Sequence, residues 1–274
     1  MPAPTPTASR VAAFFDLDKT VLATSSTFAL GRGFRRRGML SPSTAARSVY
    51  SHASYMLRGA DHVQMERMKE LMSELVTGWE TEVVAEVVAE ALDDIIMPLV
   101  YPEAAELIRW HQEFSRDVVL VSSGADELVR PIGQRLGVDR VVGTTMQVVD
   151  GRYSGVIEFY AYGANKAEAV RRLADEHGYD LDASYAYSDS ATDLPMLSAV
   201  GRPHAVNPDR QLAAHAEMHG WPVLNCAPPP EAPRNLNTMS APSPTTVAAV
   251  GAGLGAVTAS AGLGKYLARR RRRR

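Results

Sequence analysis

The stretch VAAFFDLDKTVL, from Val11 to Leu22, limits what this chain can fold into more than any other part of it. It begins as an apolar run of Val, Ala and Phe and then reaches two aspartates, Asp16 and Asp18, with one residue between them. A short apolar run bounded by charge predicts a buried strand of a parallel sheet. Because carboxylates are costly to desolvate, we expect both at the carboxyl end of the strand, where open α/β sheets bind ligands and where the pair can share a metal ion.

Strand and helix patterns alternate after residue 98, which predicts an α/β fold with a doubly wound parallel sheet. Asp150-Gly151 is predicted to be the turn of a hairpin. Asn165 and the pair Asn207-Pro208 are predicted to cap two further helices. The other strands predicted in this part of the chain are residues 117–122, 184–188, 204–206 and 221–224.

Residues 24–98, between the first two predicted parallel strands, show only helical patterns. Asp61 begins a capping box, and a second helical stripe runs from Val83 to Ile96 at four-residue intervals. The apolar face of the helix after Asp61 carries Met65, Met68, Leu71, Met72 and Leu75. This segment has the size and position of an all-helical cap, inserted into a core domain that we assign to residues 10–23 and 99–226.

Both ends of the chain lie outside this predicted core. Residues 1–9, rich in Pro, Thr and Ala, are predicted to be a disordered lead, and residues 227–244 a linker. Residues 245–274 form an apolar segment of small residues that ends in six arginines. Since each arginine near an anionic leaflet contributes roughly 1 kcal/mol, we expect this tail to bind an anionic membrane. The alternative is a disordered basic tail that contacts no membrane.

Composition excludes several classes of protein. The formal net charge of −2 over 274 residues gives no indication of a nucleic-acid partner. A single cysteine, Cys226, excludes an internal disulfide framework and a Cys-rich zinc site. The N-terminus lacks the apolar core of a secretory signal. We therefore expect a cytoplasmic protein that is membrane-associated through residues 245–274.

Four short motifs follow one another in the order found in one superfamily of phosphotransferases. The residues concerned are Asp16, Asp18 and Thr20 in the first motif, Ser122 in the second, Lys166 in the third, and Asp189 and Asp193 in the fourth. Each motif alone also fits a surface loop or an ordinary strand-to-helix turn. Together they resemble motifs I to IV of the haloacid dehalogenase (HAD) superfamily. The helical segment between motifs I and II resembles the phosphoserine-phosphatase-like branch, subfamily IB.

This resemblance implies a Mg²⁺-dependent phosphatase and gives each charged residue a role. The metal ligands would be Asp16, the backbone carbonyl of Asp18, and Asp189. Asp16 would also be the nucleophile, forming an aspartyl-phosphate, while Asp18 would protonate the leaving alcohol and then activate water. Lys166 would offset the negative charge of Asp16 and the phosphate. Asp193 would orient Lys166 or a metal-bound water.

The resemblance also implies a phosphate-binding site. Ser122, Ser123 and Gly124 would bind phosphate oxygens with a hydroxyl and with backbone N–H groups. Thr20 would fix the loop that follows the first strand and complete this site. The expected substrate is a small phosphorylated metabolite.

Some residues depart from the family pattern or allow other interpretations. Ser25 stands where phosphoserine phosphatases carry an acidic residue that meets the substrate's amine, so we expect a substrate other than phosphoserine. Lys19 adds a cation beside the two aspartates and is expected to point into solvent. The arginines Arg32, Arg35, Arg36 and Arg37 are either a solvated helix end or a site for a second anionic group of the substrate.

Two rival functions remain on the same predicted fold. One is a catalytically silent phosphate-binding or regulatory module, against which the complete set of acidic residues argues. The other is a membrane-associated lipid-phosphate phosphatase, suggested by the tail alone.

Overall fold

The computed structural model describes residues 10–40 and 62–230 of the chain. Its centre is a seven-stranded sheet in the order β4-β3-β2-β1-β5-β6-β7, parallel except for β4, which is antiparallel to β3. The strands are β1 (Ala12–Phe15), β2 (Asp117–Ala125), β3 (Arg140–Val149), β4 (Arg152–Phe159), β5 (Tyr185–Ser188), β6 (Arg202–Val206) and β7 (Val223–Leu224). The predicted α/β fold with a mostly parallel sheet is therefore confirmed.

The described residues form eight α-helices. They are α1 (Ser26–Arg36), α2 (His62–Val76), α3 (Thr81–Ala91), α4 (Pro102–Glu113), α5 (Asp126–Leu136), α6 (Ala164–His177), α7 (Leu194–Leu197) and α8 (Arg210–His219). A π-helical turn at Leu92–Ile96 and a 3₁₀ turn at Met97–Leu99 lead from α3 towards α4. A second 3₁₀ turn, Ala191–Asp193, precedes α7.

The core consists of two apolar layers, one on each face of the sheet. Strand β1 is fully buried because its side chains alternate between the layers, as strand geometry requires. Phe15 packs in the layer that includes Ile108 of α4 and Ile132 of α5, whereas Phe14 packs in the layer that includes Val170 of α6. Helices on both faces bury the parallel sheet.

The helices between β1 and β2 pack against each other and against the core. Phe34 of α1 contacts Trp79, with ring centroids 5.1 Å apart. Helix α2 lies so close to β4 that a Cβ on Gly155 would come within 2.3 Å of the Thr77 hydroxyl oxygen, and the φ of Gly155 is +88°. Glycine is therefore required at this contact. Within residues 26–36 and 62–99, the described segment contains no strand.

Two predicted helix caps are wrong. The helix that Asn165 was predicted to cap begins at Ala164, and its N-terminal cap residue is Gly163. The side-chain amide of Asn165 instead donates to the Tyr160 carbonyl oxygen at 2.8 Å. The helix assigned to Asn207-Pro208 is capped by Asp209, whose Oδ1 accepts hydrogen bonds from the backbone of Gln211 at 2.9 Å and Leu212 at 2.8 Å. A carboxylate at this position satisfies two N–H groups that the helix cannot pair itself.

Several predictions concern residues outside the described ranges and stay predictions. They are the disordered lead 1–9, the Asp61 capping box, most of the linker 227–244 and the membrane-binding tail 245–274. The side chains of Met65 and Met68 also lie outside the description. Among the helices that the structure does describe, none combines the length and hydropathy needed to span a membrane.

Candidate active site

The predicted site residues lie at the carboxyl edge of the parallel sheet. Phe15 at the end of β1 is in register with Leu120 of β2 and Tyr187 of β5, so the residues that follow these positions share one edge. The backbone N–H of Asp16 donates to the Tyr187 carbonyl oxygen at 2.9 Å. This hydrogen bond fixes Asp16 beside the end of β5, directly before Asp189.

A buried ammonium group joins the first and fourth motifs. Lys166 Nζ lies 2.6 Å from Asp16 Oδ1 and 2.7 Å from Asp193 Oδ2. The Ser188 hydroxyl donates to the same Asp193 oxygen at 2.7 Å. These side chains are almost completely buried, so their hydrogen bonds hold Lys166 in one position between two carboxylates. The role predicted for Asp193, orienting Lys166 or a metal-bound water, stays a prediction.

Negative charge exceeds positive charge in this cluster. Burial raises the pKa of Asp16 to about 7, although the Lys166 charge opposes the rise. Burial and the charge of Asp16 together raise the pKa of Asp189 well above its usual range. Burial alone would lower the pKa of Lys166, but the charges of Asp16 and Asp193 outweigh it and raise that pKa. A bound cation would offset this excess of negative charge.

The residues present fit Mg²⁺, which prefers oxygen ligands and retains several waters. Asp16 and Asp189 are the carboxylates that could hold it, together with the backbone carbonyl of Asp18. Among the described residues no group of three or more Asp, Glu, His or Cys side chains is arranged to hold a metal ion. Thr20 is buried, and its hydroxyl oxygen lies 3.5 Å from Asp189 Oδ1.

The turn within β2 carries the predicted phosphate-binding residues. The Ser122 hydroxyl is buried and accepts a hydrogen bond from the Gly124 backbone at 3.1 Å. Thr144 on β3 was not predicted as a site residue, and its buried hydroxyl donates to the Ser123 carbonyl oxygen at 2.8 Å. Thr144 thus supports the turn from the neighbouring strand. Thr144 is one of two adjacent threonines in β3, and no local pattern would identify its role.

Asp18 is held by a residue that the sequence analysis also missed. The backbone N–H of Ser26, the first residue of α1, donates to Asp18 Oδ1 at 2.9 Å. Ser25, immediately before it, is the N-terminal cap residue of α1. No local motif marks this contact, because it depends on how the chain turns between Asp18 and α1.

Two predictions about basic residues are refined. Lys19 is half-buried rather than directed fully into solvent, and its charge opposes the rise in the pKa of Asp189. Arg37 forms ion pairs with Glu86, at 3.0 Å, and with Glu90 of α3. Arg32, Arg35 and Arg36 are exposed on α1.

A comparison with known protein families identifies the family of this chain. The family model described as haloacid dehalogenase-like hydrolase matches residues 13–198, which include all four motifs. The chain belongs to this family. The HAD family assignment made from the four motifs is thereby confirmed.

The sequence similarity to known proteins extends beyond the four motifs. The chain is 50% identical over 263 residues to an "Inhibition of morphological differentiation protein" of Streptomyces azureus, covering 96% of this chain and 95% of that one. It is 46% identical over 243 residues to a "Probable phosphatase" of Mycobacterium tuberculosis, covering 89% and 85%. A structure of a substrate-bound phosphoserine phosphatase complex superimposes with a TM-score of 0.58 at 18% identity, covering 80% of this chain and 94% of that one, which shows a shared fold. This HAD-family chain is thus similar in sequence to a probable phosphatase and shares its fold with a phosphoserine phosphatase.

Proposed function

We propose that this HAD-family protein is a Mg²⁺-dependent phosphomonoesterase that acts through an aspartyl-phosphate on a small phosphorylated metabolite. The observation that carries the proposal is the contact of buried Lys166 with both Asp16 and Asp193, at 2.6 and 2.7 Å, at the carboxyl edge of the sheet. It supports a site that binds a cation, because one ammonium group faces an excess of carboxylates. The cation and the Lys166 ammonium group together would then attract the phosphate.

In this proposal Asp16 is the nucleophile, and its carboxylate attacks the phosphorus atom while the bond to the leaving oxygen breaks. Asp18 donates a proton to that oxygen and later accepts one from the water that hydrolyses the aspartyl-phosphate. Ser122 and Lys166 bind and orient the phosphate, with Thr144 supporting the turn. When bound, Mg²⁺ would supply positive charge that reduces the repulsion between phosphate and carboxylate.

The residues at the start of α1 indicate which substrates the protein should prefer. Ser25 is half-buried at the N-terminal cap of α1 and carries no charge at the position where the family's phosphoserine phosphatases use an acidic residue. A hydroxyl cannot pair with an ammonium group as a carboxylate can. We therefore predict that phosphoserine is hydrolysed with a kcat/KM about ten- to a hundredfold below that of the best phosphomonoester.

A panel of phosphorylated metabolites, assayed at one enzyme concentration, tests this selectivity. Ser25→Glu is the matched variant and should raise kcat/KM for phosphoserine relative to esters that lack an amine. A wild-type protein that prefers phosphoserine over the rest of the panel would refute the prediction.

Hydrolysis itself separates the phosphatase from the catalytically silent module. We expect p-nitrophenyl phosphate to be hydrolysed with MgCl₂ and not after chelation with EDTA, and activity to return when MgCl₂ is restored. Binding of inorganic phosphate without turnover under all these conditions would instead favour the silent module.

The membrane-associated alternative rests on the sequence of residues 245–274. Cells expressing the full chain, and a version that ends at Pro244, would be fractionated and the membranes washed with high salt. We expect only the full chain in the membrane fraction and expect salt to release it, because arginines bind anionic lipids electrostatically. Equal solubility of both versions would exclude this role for the tail.

A further inference from the structure

The start of α1 contacts the residue to which the proposed mechanism gives the proton transfer. Ser26 is the first residue of α1, and its backbone N–H donates to Asp18 Oδ1 at 2.9 Å. The first N–H groups of a helix have no partner within the helix, so this donor is available to a carboxyl group. Donor and acceptor are eight residues apart, and the chain between them turns from the sheet edge into α1.

Ser26 is completely buried, and it lies beside the phosphate-binding turn. A Cβ built on Gly124 would lie 3.4 Å from the Ser122 hydroxyl oxygen and 3.8 Å from the Ser26 hydroxyl oxygen. The Ser26 hydroxyl itself has no hydrogen-bond partner among the described residues. The polar contact that Ser26 makes with Asp18 is thus made by its backbone and not by its side chain.

We propose that the Ser26 backbone N–H is a positioning group that orients Asp18 as the general acid. The inference rests on the proposed phosphatase function. The N–H group donates to Oδ1 at 2.9 Å and so restricts rotation of the Asp18 carboxyl group. It thereby fixes the direction of Oδ2, the oxygen that this hydrogen bond does not occupy, and we assign the proton transfer to Oδ2.

This contact makes Asp18 sensitive to the position of the helical segment. Helix α1 packs on α3 so closely that a Cβ on Gly33 would lie 2.8 Å from Val87 Cγ1. A shift of α1 with its neighbouring helices would therefore move the Ser26 N–H away from Asp18. Protonation of the leaving group depends on α1 being seated against the core.

The first position of α1 allows the contact with Asp18 to be removed without breaking the helix. Proline is favourable at the first helical position, and Ser25 already has φ −70° and ψ 130°, the conformation preferred before proline. Ser26→Pro removes the donor and the hydroxyl and places the ring Cδ where the N–H pointed, so the Asp18 carboxyl must leave its position. Ser26→Ala removes the hydroxyl alone. The alanine variant is the matched control because that hydroxyl makes no hydrogen bond to a described residue.

Comparing kcat/KM for two esters of similar shape shows whether a variant impairs protonation of the leaving group or another step. p-Nitrophenolate leaves readily without a proton, whereas the phenolate of phenyl phosphate is more basic and depends on the general acid. We expect Ser26→Pro to lower kcat/KM for phenyl phosphate about ten- to a hundredfold more than for p-nitrophenyl phosphate, the range for losing a hydrogen bond to a charged group. Ser26→Ala should leave the ratio of the two values unchanged. A partly unfolded preparation lowers both values equally, so the ratio reports positioning alone.

The same ratio measured in an Asp18→Asn background completes the test. If Ser26 acts through Asp18, Ser26→Pro should change the ratio no further once the acid is absent. An unchanged ratio in Ser26→Pro, or an equal change with and without Asp18, would overturn the inference while leaving the phosphatase function intact. A wild-type protein that hydrolyses neither ester with Mg²⁺ would refute the proposed function and this inference with it.

Discussion

Carboxylates at the two ends of the parallel sheet have pKa shifts of opposite sign. At the amino end, Asp117 begins β2 and accepts hydrogen bonds from Arg10 at 2.8 Å, Arg140 at 2.6 Å and the Tyr179 hydroxyl at 2.6 Å. Burial alone would raise the pKa of Asp117, but the hydrogen bonds from Tyr179 and Arg140 outweigh burial and lower it. At the carboxyl end, burial dominates and the pKa of Asp16 rises to about 7.

The two ends of the sheet differ in the ratio of negative to positive side chains. Asp117 is one carboxylate between two guanidinium groups, so its charge is compensated within the fold. Asp16 and Asp193 share the single ammonium of Lys166, and Asp189 lies close enough to add to the repulsion. Compensated charges at the amino end stabilise the fold. The uncompensated charges at the carboxyl end are suited to bind a cation and a substrate, which is typical of catalytic sites.

The largest expected effect concerns turnover. Asp16→Asn should lower kcat by roughly a thousandfold or more, at least about 4 kcal/mol in the barrier, because it removes the nucleophile. The measurement is hydrolysis of p-nitrophenyl phosphate with MgCl₂, together with circular dichroism to confirm folding. Asp117→Asn is the matched control from the other end of the sheet and should retain most of the activity. Near-normal turnover by folded Asp16→Asn would contradict the assignment of the nucleophile.

The second effect concerns stability at the amino end. Asp117→Asn should lower the free energy of unfolding by about 2 kcal/mol at pH 7, because its charge-assisted hydrogen bonds are lost. A carboxyl group whose pKa is lower in the folded state stabilises the fold above its unfolded pKa and loses that contribution as pH falls through the folded value.

Urea unfolding of both proteins at pH 7 and at lower pH tests this prediction. The difference between wild type and Asp117→Asn should shrink as pH falls below 3.8, the ordinary pKa of the group. A difference that is independent of pH would show that the charge of Asp117 does not provide the stabilisation.

The smallest expected effect is an increase in the free energy of unfolding rather than a decrease. Asp189→Asn should raise the free energy of unfolding in metal-free buffer, because burial and the charge of Asp16 disfavour a third carboxylate there. MgCl₂ should stabilise the wild type and should stabilise Asp189→Asn less. A loss of stability in metal-free buffer, similar to that of Asp117→Asn, would mean that the two ends of the sheet do not differ as described.

Much of the catalytic end could be predicted because it follows from strand order. An apolar strand before Asp16 and another before Asp189 predict two parallel strands, and parallel strands align their carboxyl ends. The contact of Lys166 with Asp16 joins residues 150 positions apart, yet the position of each in its own motif indicated it. The predicted α/β sheet is correct for the same reason.

The remaining contacts could not be predicted because no local pattern specifies them. The pairing of Asp117 with Arg10 and Arg140 depends on which strand starts are neighbours, and Arg residues are common on surfaces. The Ser26 contact uses a backbone N–H, which every residue except proline carries. The Asn165 and Asn207 caps were wrong because Asn is also frequent in the turns before helices, and Asp209 competes for the same role.

The most direct test of the account is to locate the phosphoryl group during turnover. Asp18→Asn should hydrolyse the aspartyl-phosphate slowly but still form it from p-nitrophenyl phosphate, whose leaving group needs no proton. The reaction with MgCl₂ would be stopped with acid, and the protein digested and mapped by mass spectrometry. The account predicts one phosphoryl group on the peptide that contains Asp16, and none in Asp16→Asn. A phosphoryl group on another residue, or turnover by Asp18→Asn with no phosphorylated peptide, would contradict it.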